Sequence, residues 1–237
     1  MKIVLATTCR GRVEHLAQTF PANLADNPGA TFLVLDYGDE DGLGKYIEQE
    51  HAGDLASGRL IYYRTDADRF VMAHAKNMAH RCAMLEGAGI LVTLDADNLT
   101  GPGFAEFVAH QFATNHNLSF LCPDFEALPP RGHRFNKFNP VSLARGFAGR
   151  LAIRAQDWLK VGGYNEIYDT WRGEDIDLIA RLNRLGLKKA PIDRAYLNAL
   201  AHGNGMRFRE YPDAVKFEND AIYEQTRTAH DTVVNWG

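Results

Sequence analysis

Short apolar runs recur along this chain, separated by segments with a helical period. Residues 3–6, 32–35, 60–63, 90–94, 120–122 and 151–154 read as strands. The run Ile90-Leu91-Val92-Thr93-Leu94 is continuous rather than alternating, which predicts a strand buried on both faces of a parallel sheet. Between the runs, Leu16, Phe20 and Leu24 recur at helical spacing, with Pro21 expected to kink or shorten that helix. Met72, Ala75, Ala79, Cys82 and Ala83 form a small-residue helical face, and Phe104, Phe107, Val108 and Phe112 a larger one. Leu178, Leu182 and Leu185 mark a further helix that Gly186 ends. Alternating β and α elements predict an α/β fold, a mostly parallel sheet flanked by helices with right-handed crossovers.

The segment 124–146 breaks this rhythm. It carries Pro129-Pro130, Gly132, Asn136 and Asn139-Pro140 without a helical or strand period. An aperiodic stretch of that length inside a domain is either functional, for example a lid, or disordered. No internal repeat and no linker interrupts the chain, so its 237 residues read as a single domain.

Composition narrows the function. Apolar residues make up 46% and charged residues 24%, a globular balance. A net charge of -4 offers no basic face for a nucleic-acid backbone. Cys9, Cys82 and Cys122 are odd in number and scattered, which fits free thiols in a reducing compartment rather than disulfides or a zinc site. No run of 18 apolar residues suggests a transmembrane segment, and a cytoplasmic protein is the expectation.

Three constellations could carry chemistry. Asp95-Ala96-Asp97 follows the buried strand directly, at the sheet edge where open α/β folds bind ligands. Two carboxylates there can hold a hard divalent cation that keeps open positions for phosphate oxygens; they can equally end a strand and cap a turn. The second is Trp171-Arg172-Gly173-Glu174-Asp175-Ile176-Asp177, which opens a helix. Acids in a first turn suit the helix dipole, and Asp177 with Arg181 can pair on the surface. A carboxylate here can also serve as general base, with the Trp face stacking on a sugar. The third is His202 in a Gly-rich turn, whose imidazole suits Mn²⁺ better than Mg²⁺.

Taken in order, these segments resemble the GT-A glycosyltransferases, most closely the β-1,4-galactosyltransferase-like branch alongside the family 2-like enzymes. Thr8-Cys9-Arg10-Gly11-Arg12-Val13-Glu14-His15-Leu16 is similar to that family's first-strand turn. Ala73-His74-Ala75-Lys76-Asn77 resembles its Arg-Ala-Lys helix start, and Leu94-Asp95-Ala96-Asp97 its DxD motif. Gly162-Gly163-Tyr164-Asn165-Glu166 followed by residues 171–177 resembles its acceptor block. The resemblance implies a Rossmann-like GT-A sheet with a nucleotide-sugar half at 1–100, an acceptor half at 101–205 and a tail at 206–237. It assigns Thr8, Arg10, Arg12, Asp36, Lys76 and Asp95 to the nucleotide, and Asp97 and His202 to Mn²⁺ or Mg²⁺. Asp175 becomes the catalytic base, with Trp171 and Glu174 at the acceptor.

The activity so implied is transfer of a hexose or N-acetylhexosamine from a UDP-sugar to an acceptor hydroxyl, with inversion. Two other readings stand beside it: a non-catalytic sugar- or nucleotide-binding module of the same fold, and a sugar-1-phosphate nucleotidyltransferase. Three positions depart from the family pattern. Arg172 replaces a Gly, His74 stands where the galactosyltransferases have Arg, and Tyr37 stands where many relatives have a second Asp.

Overall fold

The computed structural model describes residues 1–38, 42–124, 149–169, 173–200, 232, 233 and 235. Trp171, Arg172, His202 and nearly all of the expected lid and tail lie outside the described residues. The elements run β1 (Ile3–Cys9), α1 (Val13–Asp26), β2 (Thr31–Tyr37), α2 (Leu43–Glu50), α3 (Ala52–Ala56), β3 (Leu60–Thr65), α4 (Met72–Leu85) and β4 (Ile90–Asp95). There follow β5 (Asn98–Leu99), α5 (Phe104–Thr114), β6 (Leu118–Cys122), β7 (Leu151–Arg154), α6 (Ala155–Val161), α7 (Glu174–Arg184), β8 (Lys188–Pro191) and β9 (Asn198–Ala199).

Seven strands form one sheet in the order β3-β2-β1-β4-β7-β6-β8, and β5 pairs with β9 in a small second ribbon. Every strand of the large sheet runs parallel except β7, which is antiparallel to both neighbours. β4 is buried over its apolar length, as its unbroken apolar run predicts. One face of the sheet packs Leu16, Phe20 and Leu24 of α1 with Phe104, Val108 and Phe112 of α5. The other packs Ala75, Ala79 and Ala83 of α4 with Leu178 and Leu182 of α7. Alanines on α4 let that helix lie close to β1 and β2.

One local expectation is revised and another is met. Helix α1 continues through Pro21 to Asp26. Pro21 lies on the exposed side, while the buried Leu16, Phe20 and Leu24 hold the helix on both sides of the lost N–H. Helix α7 ends as expected: Leu187 N–H donates to the Leu182 carbonyl (3.1 Å) and Gly186 N–H to that of Asn183 (3.0 Å), with Gly186 at φ +67°.

The chain leaves β1 toward β2 and β3, then returns to the other side of β1 as β4. The strand order therefore reverses between β1 and β4, and the crevice beyond their carboxyl ends is where such sheets bind ligands. Register puts Thr8 beside Asp95 and Cys9 beside Asp36 at that edge.

Candidate active site

Polar side chains of α1 hold the loop after β4 in place. Thr19 Oγ1 donates to the Ala96 carbonyl (2.7 Å), and Asn23 Nδ2 to that of Asn98 (2.9 Å). Thr100 N–H donates to Asn23 Oδ1 (2.8 Å), and Asn27 Nδ2 to Thr100 Oγ1 (2.8 Å). All these side chains are buried. Their hydrogen bonds fix the path of Asp95-Ala96-Asp97-Asn98.

Asp97 is buried, and its Oδ1 accepts from Asn98 Nδ2 at 2.9 Å. Its carbonyl accepts from Leu200 N–H (2.8 Å), which ties the loop to the end of β9. Gly149 faces Asp95: a Cβ there would meet Asp95 Oδ2 at 2.9 Å, so only glycine leaves the carboxylate its room. Burial raises the Asp95 pKa, Lys76 and Arg12 oppose that, and Asp97 and Glu174 add to it.

Arg150, absent from the sequence reading, lies behind this pair with 0% of its surface exposed. Its guanidinium donates to the carbonyls of Leu99 (3.1 Å), Tyr196 and Asn198 (3.2 Å), joining β7 to the β5–β9 ribbon. Burial draws its pKa down to about 10, while Asp95 and Asp97 support the charge. A lone Arg inside the apolar run after Gly149 was the available signal.

The second acidic group opens α7. Lys76 Nζ, 2% exposed, donates to Asp175 Oδ1 (2.7 Å) and to Glu174 Oε1 (2.9 Å). Its ammonium also lies 5.3 Å from the Tyr164 ring centroid. Burial works against the Lys76 charge, but Asp175, Glu174 and Asp95 outweigh it and hold the ammonium well above its ordinary range. Asp175 is 16% exposed. Burial pushes its carboxyl up to about 7, Lys76 pulls against that, and Glu174 and Asp95 raise it. Lys76 thus pairs with the acids of α7 while its charge also acts on Asp95 at the end of β4.

Asp177 has a different place. Its Oδ2 accepts from Arg181 Nε at 2.7 Å, but the pair is buried rather than on the surface. Arg181 also donates to the carbonyls of Val161 (2.8 Å) and Gly163 (2.7 Å). It thereby fixes α7 against the turn after α6. Asn77 closes the same turn: its Nδ2 donates to the Tyr164 carbonyl (2.9 Å) and Glu166 (2.7 Å), and its Oδ1 accepts from Tyr164 N–H (2.8 Å). Gly163 sits at φ +74°, and a Cβ there would meet Asn77 Oδ1 at 2.6 Å. Asn235 docks on this turn from the far end of the chain, donating to the Tyr164 carbonyl at 2.8 Å.

Of the remaining expected nucleotide residues, Thr8 lies at the strand edge beside Asp95. Arg12 stands at the N-cap position of α1, where its side chain makes no capping hydrogen bond, and bears on the Asp95 charge. Arg10 donates to the carbonyls of Tyr37 (3.0 Å), Ala67 (2.5 Å) and Asp68 (2.9 Å), pinning the segment between β3 and α4 to the end of β2. Asp36 is buried and accepts from the Tyr62 hydroxyl at 2.6 Å. His80, absent from the sequence reading, is held neutral under Lys76: burial and the Lys76 charge lower its pKa to about 3. Among the described residues no three His, Cys, Asp or Glu side chains gather as a metal-ligand set.

This sheet and its order are those of the GT-A glycosyltransferase fold, and solved structures agree. A mannosyltransferase from Pyrobaculum calidifontis, in complex with GDP-Man and Mn²⁺, superposes with a TM-score of 0.60 at 16% identity, covering 82% of this chain and 55% of its own. S. aureus TarS in complex with UDP-GlcNAc gives 0.65 at 12% identity, covering 89% of this chain and 62% of its own. The Drosophila β-1,4-galactosyltransferase 7, a mutant in complex with manganese, UDP-Gal and xylobiose, gives 0.58 at 16%, covering 99% and 82%. Residues 130–203 match the family model described as the N-terminal domain of galactosyltransferase. No curated protein sequence matches the chain at a significant level. This chain therefore spans little more than half of the mannosyltransferase. No helix among the described residues is long and apolar enough to cross a membrane.

Proposed function

We propose that the chain is a metal-dependent, inverting glycosyltransferase that moves a hexose or N-acetylhexosamine from a UDP-sugar to a carbohydrate or other hydroxyl acceptor. One observation carries the reading. Asp175, a carboxyl that burial pushes up to about 7, opens α7, and the Lys76 ammonium that pairs with it also bears on the charge of Asp95 at the topological switch point. On this reading a nucleotide site and a base for a hydroxyl lie side by side. The galactosyltransferase match of residues 130–203 and the sugar-nucleotide complexes of the structural neighbours support the same reading.

The carboxylates at the end of β4 are hard oxygen donors with room kept beside them by Gly149, and they suit Mn²⁺ or Mg²⁺ completed by phosphate oxygens. Asp97 would hold the ion, with His202 from beyond β9. When bound, the ion would neutralise charge on the leaving diphosphate. Arg150 offsets the mutual repulsion of Asp95 and Asp97, so the pair is kept in shape before any ligand arrives.

Asp175 receives the acceptor proton. A base whose pKa lies near the working pH combines a useful ionised fraction with driving force for proton transfer. Burial alone would keep this carboxyl protonated; the Lys76 ammonium at 2.7 Å counters it. Glu174, tied to the same ammonium, is left to orient the acceptor from the first turn of α7. The test is Asp175→Asn. Turnover should fall about 10²–10⁴-fold, with nucleotide affinity by calorimetry unchanged. Unchanged turnover would remove Asp175 from the mechanism.

A further inference from the structure

The turn after α6 is the joint between the two helices that carry Lys76 and Asp175. Its carbonyls from Val161 to Tyr164 all accept hydrogen bonds, and the donors come from separate parts of the chain. Arg181 of α7 donates to Val161 (2.8 Å) and Gly163 (2.7 Å). Asn77 of α4, next to Lys76, donates to Tyr164 (2.9 Å). The remaining donors lie near residue 235. Val233 N–H donates to Val161 (3.2 Å), and Asn235 Nδ2 donates to Gly162 (2.5 Å) and Tyr164 (2.8 Å). Asn235 Oδ1 accepts in turn from Glu166 N–H at 3.1 Å.

Gly162 lets this segment dock. It stands at φ +77°, and a Cβ there would collide with the Val233 carbonyl. The two asparagines use their amides alike. Each donates to the Tyr164 carbonyl, and each accepts a backbone N–H of the turn, Asn77 from Tyr164 (2.8 Å) and Asn235 from Glu166. Both lone pairs of the Tyr164 carbonyl are thereby filled, one from α4 and one from Asn235. The Tyr164 side chain carries the connection inward. Its ring lies 5.3 Å from Lys76 Nζ, and its hydroxyl is 2.9 Å from Thr93 Oγ1 on β4.

We propose that Asn235 is a positioning residue for the reaction: it locks the joint that sets α4 against α7, and so holds Lys76 where it meets Asp175. This rests on the reading of Asp175 as the base. Arg181 ties α7 to the turn and Asn77 ties α4 to it; Asn235 belongs to neither helix and braces the turn between them. Without its amide, Gly162 and Tyr164 lose an N–H donor and Glu166 N–H loses its acceptor. The Tyr164 ring beside the ammonium is then held by Asn77 and Thr93 alone. A charge-assisted bond as short as that between Lys76 and Asp175, 2.7 Å, weakens with a small shift of either helix.

Carbon-13 NMR titration of the side-chain carboxyls in the full chain tests this, with the Asp175 signal identified by its loss in Asp175→Asn. In the unaltered chain Asp175 should titrate near 7, where burial, Glu174 and Asp95 raise it against Lys76. In Asn235→Ala the ammonium is held less closely, and the Asp175 midpoint should move to higher pH. Asn235→Gln keeps both amide functions and should lie between the two; it carries the test if Asn235→Ala does not fold, which urea unfolding checks. An Asp175 midpoint near 7 that neither variant moves, with only the urea midpoint lowered, would reduce Asn235 to holding the fold. That result overturns the proposal and leaves the base reading standing. If Asp175 of the unaltered chain titrates in the ordinary carboxylate range, the base reading fails and this inference with it.

Discussion

The protein carries acids in two places, at the end of β4 and at the start of α7, and buried cations serve them differently. Arg150 acts on Asp95 and Asp97 through its charge, while its own hydrogen bonds go to backbone carbonyls. On α7 the cations grip the acids directly. Arg181 takes Asp177 at 2.7 Å and Lys76 takes Asp175 at the same distance. Yet those two acids, two residues apart, sit in different surroundings. Asp177 and its partner belong to one helix and are sealed in the core, while Asp175 stays 16% exposed and answers to a lysine from another helix. On the proposed reading, an acid whose cation comes from another helix and that water still reaches does the chemistry, and one sealed with a partner of its own helix holds the fold.

The largest effect expected from breaking this contrast is on stability. Arg181→Met should cost about 3–5 kcal/mol, because it leaves Asp177 buried and unpaired; urea unfolding measures it. Asp175→Asn should cost far less at neutral pH.

Lys76→Met sharpens the contrast by pH. Asp175 must be ionised to accept a proton, so turnover of the unaltered chain should rise with pH through about 7. Without the ammonium nothing counters burial and Glu174, and the acid limb should move to higher pH. A pH–rate profile that does not move would separate Lys76 from the base. The same raised pKa acts on stability. The protonated carboxyl favours the fold, so its contribution is full below the ordinary carboxylate range and is lost as pH rises through about 7. Asp175→Asn should remove that slope from a series of urea midpoints taken between pH 4 and 8.

The smallest expected effect is at Gly149. Gly149→Ala presses a methyl group on the Asp95 carboxylate and should weaken metal-dependent nucleotide binding about 2- to 5-fold. The melting temperature should barely change.

Strands β1 to β4, β6 and β7 were legible because each is a short apolar run between turn residues, and β4 announced its burial by its unbroken pattern; β8, Lys188-Lys189-Ala190-Pro191, is a largely exposed edge strand with no such run and was not. The short helices α2, α3 and α6 and the two-residue strands β5 and β9 were not, since a few residues hold no period. Asp95, Asp97, Glu174 and Asp175 stood out by spacing. Their partners did not, because the pairs span long stretches of chain: Lys76 meets its acids 98 and 99 positions away. The resemblance assigned Arg10 to the nucleotide, and in the fold its guanidinium holds three carbonyls. Tyr37 and His74 were each visible as departures, and only the approach of α4 to β2 showed them to be bonded.

The most direct measurement is calorimetric titration of UDP into the protein with Mn²⁺ and then with EDTA, repeated for Asp97→Ala and Asp177→Asn. Metal-dependent binding that Asp97→Ala abolishes and Asp177→Asn retains is the predicted result. Binding that ignores EDTA and survives Asp97→Ala would contradict the assignment of the β4 acids to a cation and of this crevice to a sugar nucleotide.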